Sequence, residues 1–582
     1  MTLSIVQARP RERVQARLSD GRIFEAPPGT ALNDILAVAF PDQQRAPVAA
    51  ILGGVLTELT TPLLADSDVV PVTTADADGM RIYRRSLAFL LVTATAELFP
   101  DAHVVIDHSA TTAGAYYCWV AGRAPFERHE LAAISQRMRE IVASDAPFRK
   151  TKAATPEAMA LFTARGEDDK ARLLAHRAKP TLNLYELRSR RDYFQGYMVP
   201  SAGRLPLFEL HSHLPGFMLQ FPHQSRPTEL GAIPPYPKLF AVFDEYGRWL
   251  ERLGIRDVGS LNDAIVADRL PEIALVGEAL HEARIARIAS EIVAQRDRIK
   301  IILIAGPSSS GKTTFSKRLG VQLVANGVRP HPLALDDYFL SRHLTPRDEK
   351  GDYDYEHLHA LDVGLFNEHL MRLIEGRAVA LPRYNFRTGE REHGPTVTID
   401  DEDIIIIEGI HGLNPELVPG VPNDRLYRIY ASALTQLNID RHNRVGTTDC
   451  RLIRRIVRDA ATRGYDAAAT LKRWDSVLAG EKRWIFPYQE NSDAVFNSAL
   501  AHELAVLRAL AEPLLLQVQP GTKEHLESRR LLSFLRWFRP APTSVVPGNS
   551  ILREFVGGSE LESFNFAPLQ TKALNGRGSI RE

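Results

Sequence analysis

Cysteine is nearly absent: Cys118 and Cys450 are the only two in 582 residues. So sparse a supply excludes a disulfide framework and a clustered thiolate metal site. Net charge is absent as well, because 71 Lys and Arg balance 71 Asp and Glu. A chain-wide nucleic-acid footprint is therefore not expected, although a local basic face stays open. No run of about 18 apolar residues occurs, so no transmembrane helix is expected. The N-terminus, Met1-Thr2-Leu3-Ser4-Ile5-Val6, soon meets Arg9, Arg11 and Arg13 and lacks the apolar centre of a signal peptide. The expected location is the cytoplasm. Short tandem repeats are missing too. With 45% apolar and 24% charged residues the composition is ordinary, and the length suffices for roughly three or four domains.

What the chain does contain is Gly306-Pro307-Ser308-Ser309-Ser310-Gly311-Lys312-Thr313, a complete G-x-x-x-x-G-K-[ST] pattern. An apolar run, Ile299 and Ile301 to Ile304, precedes it and reads as a buried strand. A helical pattern follows, with Phe315, Leu319 and Leu323 on one face. Strand, glycine-rich turn and helix together make a phosphate cradle. The glycines let backbone N–H groups close around phosphate oxygens, the helix N-terminus adds partial positive charge, and Lys312 adds a full one. Thr313 would offer its hydroxyl to Mg²⁺.

Two further strands are expected to end in acids. Leu333-Ala334-Leu335 leads into Asp336 and Asp337, and Ile404 to Ile407 leads into Glu408. Ligands gather at the C-terminal ends of strands in open parallel sheets. A carboxylate there can take a proton from an attacking hydroxyl, a role assigned to Asp336 with Asp337 as rival. Glu408 is placed to hold Mg²⁺, with Thr313 and Asp336 as further metal candidates. Arg451, Arg454, Arg455 and Arg458 recur at helical spacing, with Arg463 beyond. Such a face can clamp phosphates or form solvated ion pairs.

Residues 299–500 resemble the uridine kinase and phosphoribulokinase family of P-loop kinases. The resemblance is carried by the loop, by Leu335 to Phe339, by Gly351-Asp352-Tyr353-Asp354-Tyr355-Glu356-His357, by Pro382-Arg383-Tyr384-Asn385-Phe386, by Ile407-Glu408-Gly409-Ile410 and by Arg454-Arg455-Ile456-Val457-Arg458-Asp459. It implies ATP and Mg²⁺ as cofactors. Gly306, Ser308, Ser309, Ser310, Gly311, Lys312, Thr313 and Thr314 would hold ATP, with Arg458 and Arg463 as lid arginines. Lys312 also counts as catalytic beside Asp336. Glu356 would bind ribose, Tyr384 and Phe386 would lie beside the base, and Arg455 would contact the acceptor. One position departs: where uridine kinases usually carry a base-reading histidine, this chain has Gly389.

The front half resembles two modules of threonyl-tRNA synthetases. Leu18, Asp20-Gly21 and Gly29-Thr30 are similar to a TGS domain. Glu97 to Ala102 and Gly196 to Gly203 are similar to the editing domain. At the editing domain's metal-ligand positions stand Phe89, Thr93, Phe194 and Met198. These are poor zinc ligands, so neither that metal site nor hydrolytic editing is expected. His108, His211 and His213 are read as packed or surface residues.

The expected fold is multidomain α+β and α/β. A small β-grasp-like TGS module covers 1–78, a mixed α/β editing-like domain 79–270, a doubly wound parallel-sheet kinase domain 271–525, and a C-terminal extension 526–582. Within the front half, 128–165 has helical composition broken near Pro147. The expected activity is ATP-dependent phosphorylation of a nucleoside 5′-hydroxyl, of uridine or cytidine. Alternatives are another small-molecule kinase of this scaffold, phosphoribulokinase-like or pantothenate-kinase-like, and a nucleotide-gated RNA-binding regulator. A small-molecule substrate is the expected partner, with homo-oligomerisation and nucleic-acid binding by the front half left open and no membrane partner.

Overall fold

The isoleucines at 404 to 407 form an inner strand of a five-stranded parallel sheet in the computed structural model, which describes residues 12–42, 46–110, 114–347, 351–385, 387–400 and 402–564. Phe386 and the N-terminal stretch through Arg11 lie outside the described residues. The strand order is Arg329–Ala334, Asp403–Glu408, Ile301–Ala305, Leu426–Ser432 and Ala494–Asn497, with every pairing parallel. Continuous β-branched runs suit strands covered on both faces. One face carries Ile301, Leu303, Ile405 and Ile407 against Phe366, Leu370 and Leu373, where the helix Val363–Ile374 packs. Ile302, Ile304, Ile404 and Ile406 point the other way and are equally buried. A hairpin, Val379–Asn385 with Glu390–Val397, extends from this unit.

The chain divides into two compact units that exchange segments. A front unit takes 1–274, 434–475 and 499–545, and a loop unit takes 275–433, 476–498 and 546–582. The reason is visible in the polar contacts of 434–475. Arg441 binds Asp169 through its backbone N and Nε, both at 2.8 Å. The buried Lys170 ammonium bridges Asp192 and His442 Nδ1. Asn443 Oδ1 accepts from the Gln195 amide at 2.8 Å. Buried charges need such partners, so this stretch is fastened to the front unit although its sequence continues from the parallel sheet.

Within the front unit, a mixed sheet of order Ile23–Ala26, Val14–Leu18, Ser67–Val72, Ala49–Leu52 and Val55–Thr57 shares a core with the helix Leu32–Ala39. The turns at Asp20-Gly21 and Gly53-Gly54 close its two hairpins. An antiparallel sheet follows, ordered Glu209–His213, Gly216–Gln220, Ala115–Ala121 and His103–Ala110. The helix Ala77–Leu98 packs within the same core. The stretch with helical composition beyond Arg128 is not all helix: Phe148–Ala154 is a strand paired in register with Thr181–Leu187. Its central residues are exposed, so cross-strand pairing rather than an apolar pattern fixes it. The helices Pro237–Arg252 and Val258–Val266 complete the front unit. No helix among the described residues is long and apolar enough to cross a membrane.

Candidate active site

Register assembles the site. Glu408 is level with Ile304 on one neighbouring strand and with Ala334 on the other. Two residues beyond Ile304 the chain enters the glycine-rich loop, and two beyond Ala334 it reaches Asp336. The sheet therefore delivers a phosphate cradle, Glu408 and Asp336 to the C-terminal end of its strands, the place where ligands gather in open parallel sheets.

The loop is held in an unusual shape. Ser309 has φ of 58° and Gly311 φ of 83°, a pairing of left-handed residues that turns successive N–H groups inward. Gly311 is required twice over, because a Cβ there would also lie 2.4 Å from Ile551 Cγ2. Lys312 opens the helix Lys312–Ala325 and folds back to donate to the carbonyls of Gly306 at 2.9 Å and Pro307 at 3.2 Å. The Thr313 hydroxyl donates to Glu408 Oε1 at 2.7 Å.

Burial pushes the Glu408 carboxyl up to about 7; Lys312 and the Thr313 hydrogen bond oppose the shift, while Glu554 and Asp336 add to it. Asp336 thus acts electrostatically on Glu408, and it is exposed at the strand end. Its neighbour Asp337 is engaged differently: its Oδ1 accepts from the Tyr384 backbone N at 3.1 Å and pins the hairpin strand. A buried carboxylate and a hydroxyl are hard oxygen donors, and they fit Mg²⁺, which keeps waters and phosphate oxygens as most of its ligands. No group of three or more His, Cys, Asp or Glu poised for a metal exists among the described residues.

Beyond Asp337, Tyr384 is buried beside Phe339, ring centroids 5.5 Å apart, and Phe339 meets Tyr355 edge-on. Glu356 is half-buried. Its backbone carbonyl borders His411, a ring that burial and His357 drive down to about 4. His357 and His411 both contact the Trp484 ring, at 4.7 and 5.7 Å. Gly389 has φ of 78°, and a Cβ there would fall 2.8 Å from Arg342 Nε. A larger residue at 389 would therefore be strained and would meet Arg342.

The arginine helix Thr447–Thr462 belongs to the front unit. Its arginines do not form one open face. Arg454 is fully buried and its Nε donates to Glu503 Oε2 at 2.7 Å, while Arg451 is buried over the Trp474 ring. Arg455, Arg458 and Arg463 converge instead on the buried Asp459, at 3.2, 3.0 and 3.7 Å. Helical spacing placed these residues correctly along the helix, but the polar partner Glu503 lies 49 residues away.

Two further acids reach the loop. Glu481 Oε1 accepts from the Ser308 amide at 2.9 Å, and Glu554 Oε2 accepts from Thr314 N and Oγ1 at 3.2 and 3.0 Å. Neither sits at a strand end. In the front unit, Phe89, Thr93, Phe194 and Met198 are all buried, with the Phe89 and Phe194 rings 5.1 Å apart. His108 is buried between Asp107 and stacked Phe243. His211 binds Gln220 at 2.9 Å, and His213 leans on Phe240.

Residues 301–505 match the model of the Phosphoribulokinase / Uridine kinase family. The N-terminal part is homologous to threonine–tRNA ligases. The ligase of Laribacter hongkongensis is 34% identical over 195 residues, 33% of this chain and 30% of the relative. That of Burkholderia mallei is 33% identical over 198 residues, 34% of this chain and 31% of the relative. The chain thus spans under a third of the length of these relatives. A solved structure described as a "Possible Uridine Kinase from Bacillus stearothermophilus" is 26% identical, with a TM-score of 0.22, covering 25% of this chain and 79% of that one.

Proposed function

We propose that the protein is an ATP-dependent kinase that phosphorylates the 5′-hydroxyl of a nucleoside, uridine or cytidine. The observation that carries this reading is the Thr313–Glu408 hydrogen bond at the mouth of the loop, with Asp336 acting on the same carboxylate. The loop amides from Ser308 to Thr314 and the Lys312 ammonium hold the triphosphate. Thr313 and Glu408, with Asp336, would hold Mg²⁺, which when bound offsets phosphate charge. Asp336 takes the proton of the acceptor hydroxyl. The freed oxygen forms a bond to the γ-phosphorus as the bond to the β-phosphate oxygen breaks, leaving ADP. Asp337 is reserved for positioning, because it already anchors Tyr384. Glu356 and Tyr384, with Phe386, bind the acceptor, whereas Arg455, Arg458 and Arg463 belong to the front unit and are engaged by Asp459.

The front half is read as a TGS-like module followed by an editing-derived domain that has lost its metal chemistry. Support comes from the apolar packing of Phe89, Phe194 and Met198. The test of the whole reading is ATP turnover with a nucleoside panel and Mg²⁺. Turnover of none, with nucleotide still bound, rejects the acceptor. A second acceptor class, a sugar or pantothenate-like alcohol, is favoured by one observation: Arg342 stands where a residue-389 side chain would project. The same panel extended to such alcohols separates the two.

A further inference from the structure

We propose that the C-terminal segment 550–564 is an intramolecular plug of the phosphate cradle, with Glu554 seated on loop donors that a triphosphate must take. The inference rests on reading the loop as a nucleotide site, and adds how access to that site is controlled.

Four hydrogen bonds and one apolar contact make the plug. The Glu554 carboxylate accepts from both the amide and the hydroxyl of Thr314, at the start of the helix Lys312–Ala325. Helix N-termini attract anions through unsatisfied N–H groups and the helix dipole, so a carboxylate and a phosphate compete for this place. Ile551 is fully buried and fills the space above Gly311. Leu552 and Phe555 are buried beside it in sequence. One turn further along the loop helix, Lys317 Nζ donates to the carbonyls of Leu561 at 2.7 Å and Glu562 at 3.2 Å. The segment is therefore fixed at both ends of Glu554 and is not a loose tail at this point.

A second carboxylate reinforces it from another element. Glu481, buried on the helix Ala467–Trp484, takes the Ser308 amide at the opposite side of the loop. Both seats are backbone N–H groups of the cradle, and both are filled by acids of the same chain. A triphosphate carries more charge than either carboxylate and gathers Lys312 as well, so it can displace them. Its apparent affinity is then lowered by the fraction of molecules in which the plug is seated.

The full-length protein tests this with a fluorescent ATP analogue and Mg²⁺, comparing wild type, Glu554→Gln, Glu481→Gln and Lys312→Ala. Glutamine keeps an oxygen acceptor for Thr314 but removes the charge. Glu554→Gln is expected to bind about tenfold tighter than wild type, and Glu481→Gln to tighten binding as well. In wild type, hydrogen exchange across 551–562 should speed up when inorganic tripolyphosphate is added, a readout that needs no variant to fold. Weaker nucleotide binding by Glu554→Gln, or exchange that slows on adding tripolyphosphate, overturns the plug and makes the segment a wall of the site. Binding unaffected by Lys312→Ala, or absent from every variant, overturns the nucleotide reading and the plug with it.

Discussion

Glu408 accepts the Thr313 hydroxyl at 2.7 Å, tying the acid at the end of one strand to the first turn of the loop helix. Its carboxyl is raised from 4.5 to about 7, chiefly by burial. The unfolded chain releases this proton near the ordinary value, whereas the folded protein keeps it to about 7. Stability is therefore fullest below the unfolded value and is lost as pH rises through this window. Glu408→Gln is neutral throughout and should gain on wild type by about 2 kcal/mol near pH 8, after allowance for partial solvent access. Urea titrations across pH, in chelator, measure the gap. A gap that does not widen with pH would contradict the buried acid.

Asp336 and Asp337 are adjacent but engaged in different ways. Asp336→Asn is expected to lower kcat by about 10² to 10⁴ with little change in KM, the signature of a lost proton acceptor. Asp337→Asn should stay within a few-fold of wild type, because an amide oxygen can still accept from Tyr384 N. Asp337→Ala should raise KM by releasing that strand. Steady-state kinetics on the four proteins decides the matter, and equal kcat losses for both asparagine variants would remove Asp336 from its role.

Much of this site was legible because its parts are local. A run such as Ile404 to Ile407 ending in Glu408 states both a buried strand and the acid at its end, and the loop states its own geometry through Gly311. Glu481 and Glu554 could not be read, since only tertiary packing brings them to Ser308 and Thr314. The arginine helix shows the middle case: spacing fixes which residues share a side, but not whether that side is filled by Glu503. The strand Phe148–Ala154 was missed because its middle residues, Arg149 to Lys152, are exposed and charged or polar, and its signal resides in its partner strand.

The Arg454–Glu503 pair gives a stability prediction. Both side chains are buried, and Cys450 Sγ also donates to Glu503 Oε1 at 3.1 Å. Arg454→Ala leaves a carboxylate buried without its main counter-charge and should cost about 3–5 kcal/mol. Replacing both partners by Arg454→Met with Glu503→Leu should recover most of that loss, because no charge is then stranded. Urea unfolding, with hydrogen exchange across Thr447–Thr462 and Glu503–Leu516, reports it. A single variant as stable as wild type would mean that water reaches Glu503.

The packing of Phe89 against Phe194 separates a filled interior from a surviving cavity. The rings are 5.1 Å apart and tilted by 43°, and Phe148 meets Phe89 edge-on at 5.8 Å. If this region is solid core, Phe89→Ala removes dispersion contacts that no rearrangement restores, and should cost about 3–5 kcal/mol. A double-mutant cycle with Phe194→Ala should then return a coupling of about 0.5–1.5 kcal/mol, since the rings touch. A pocket kept open for a ligand behaves otherwise, because its lining already lacks partners on one side. There Phe89→Ala would cost under about 1 kcal/mol and the coupling would vanish. The measured pair of numbers thus distinguishes a solid scaffold at these positions from a cavity that receives a small molecule.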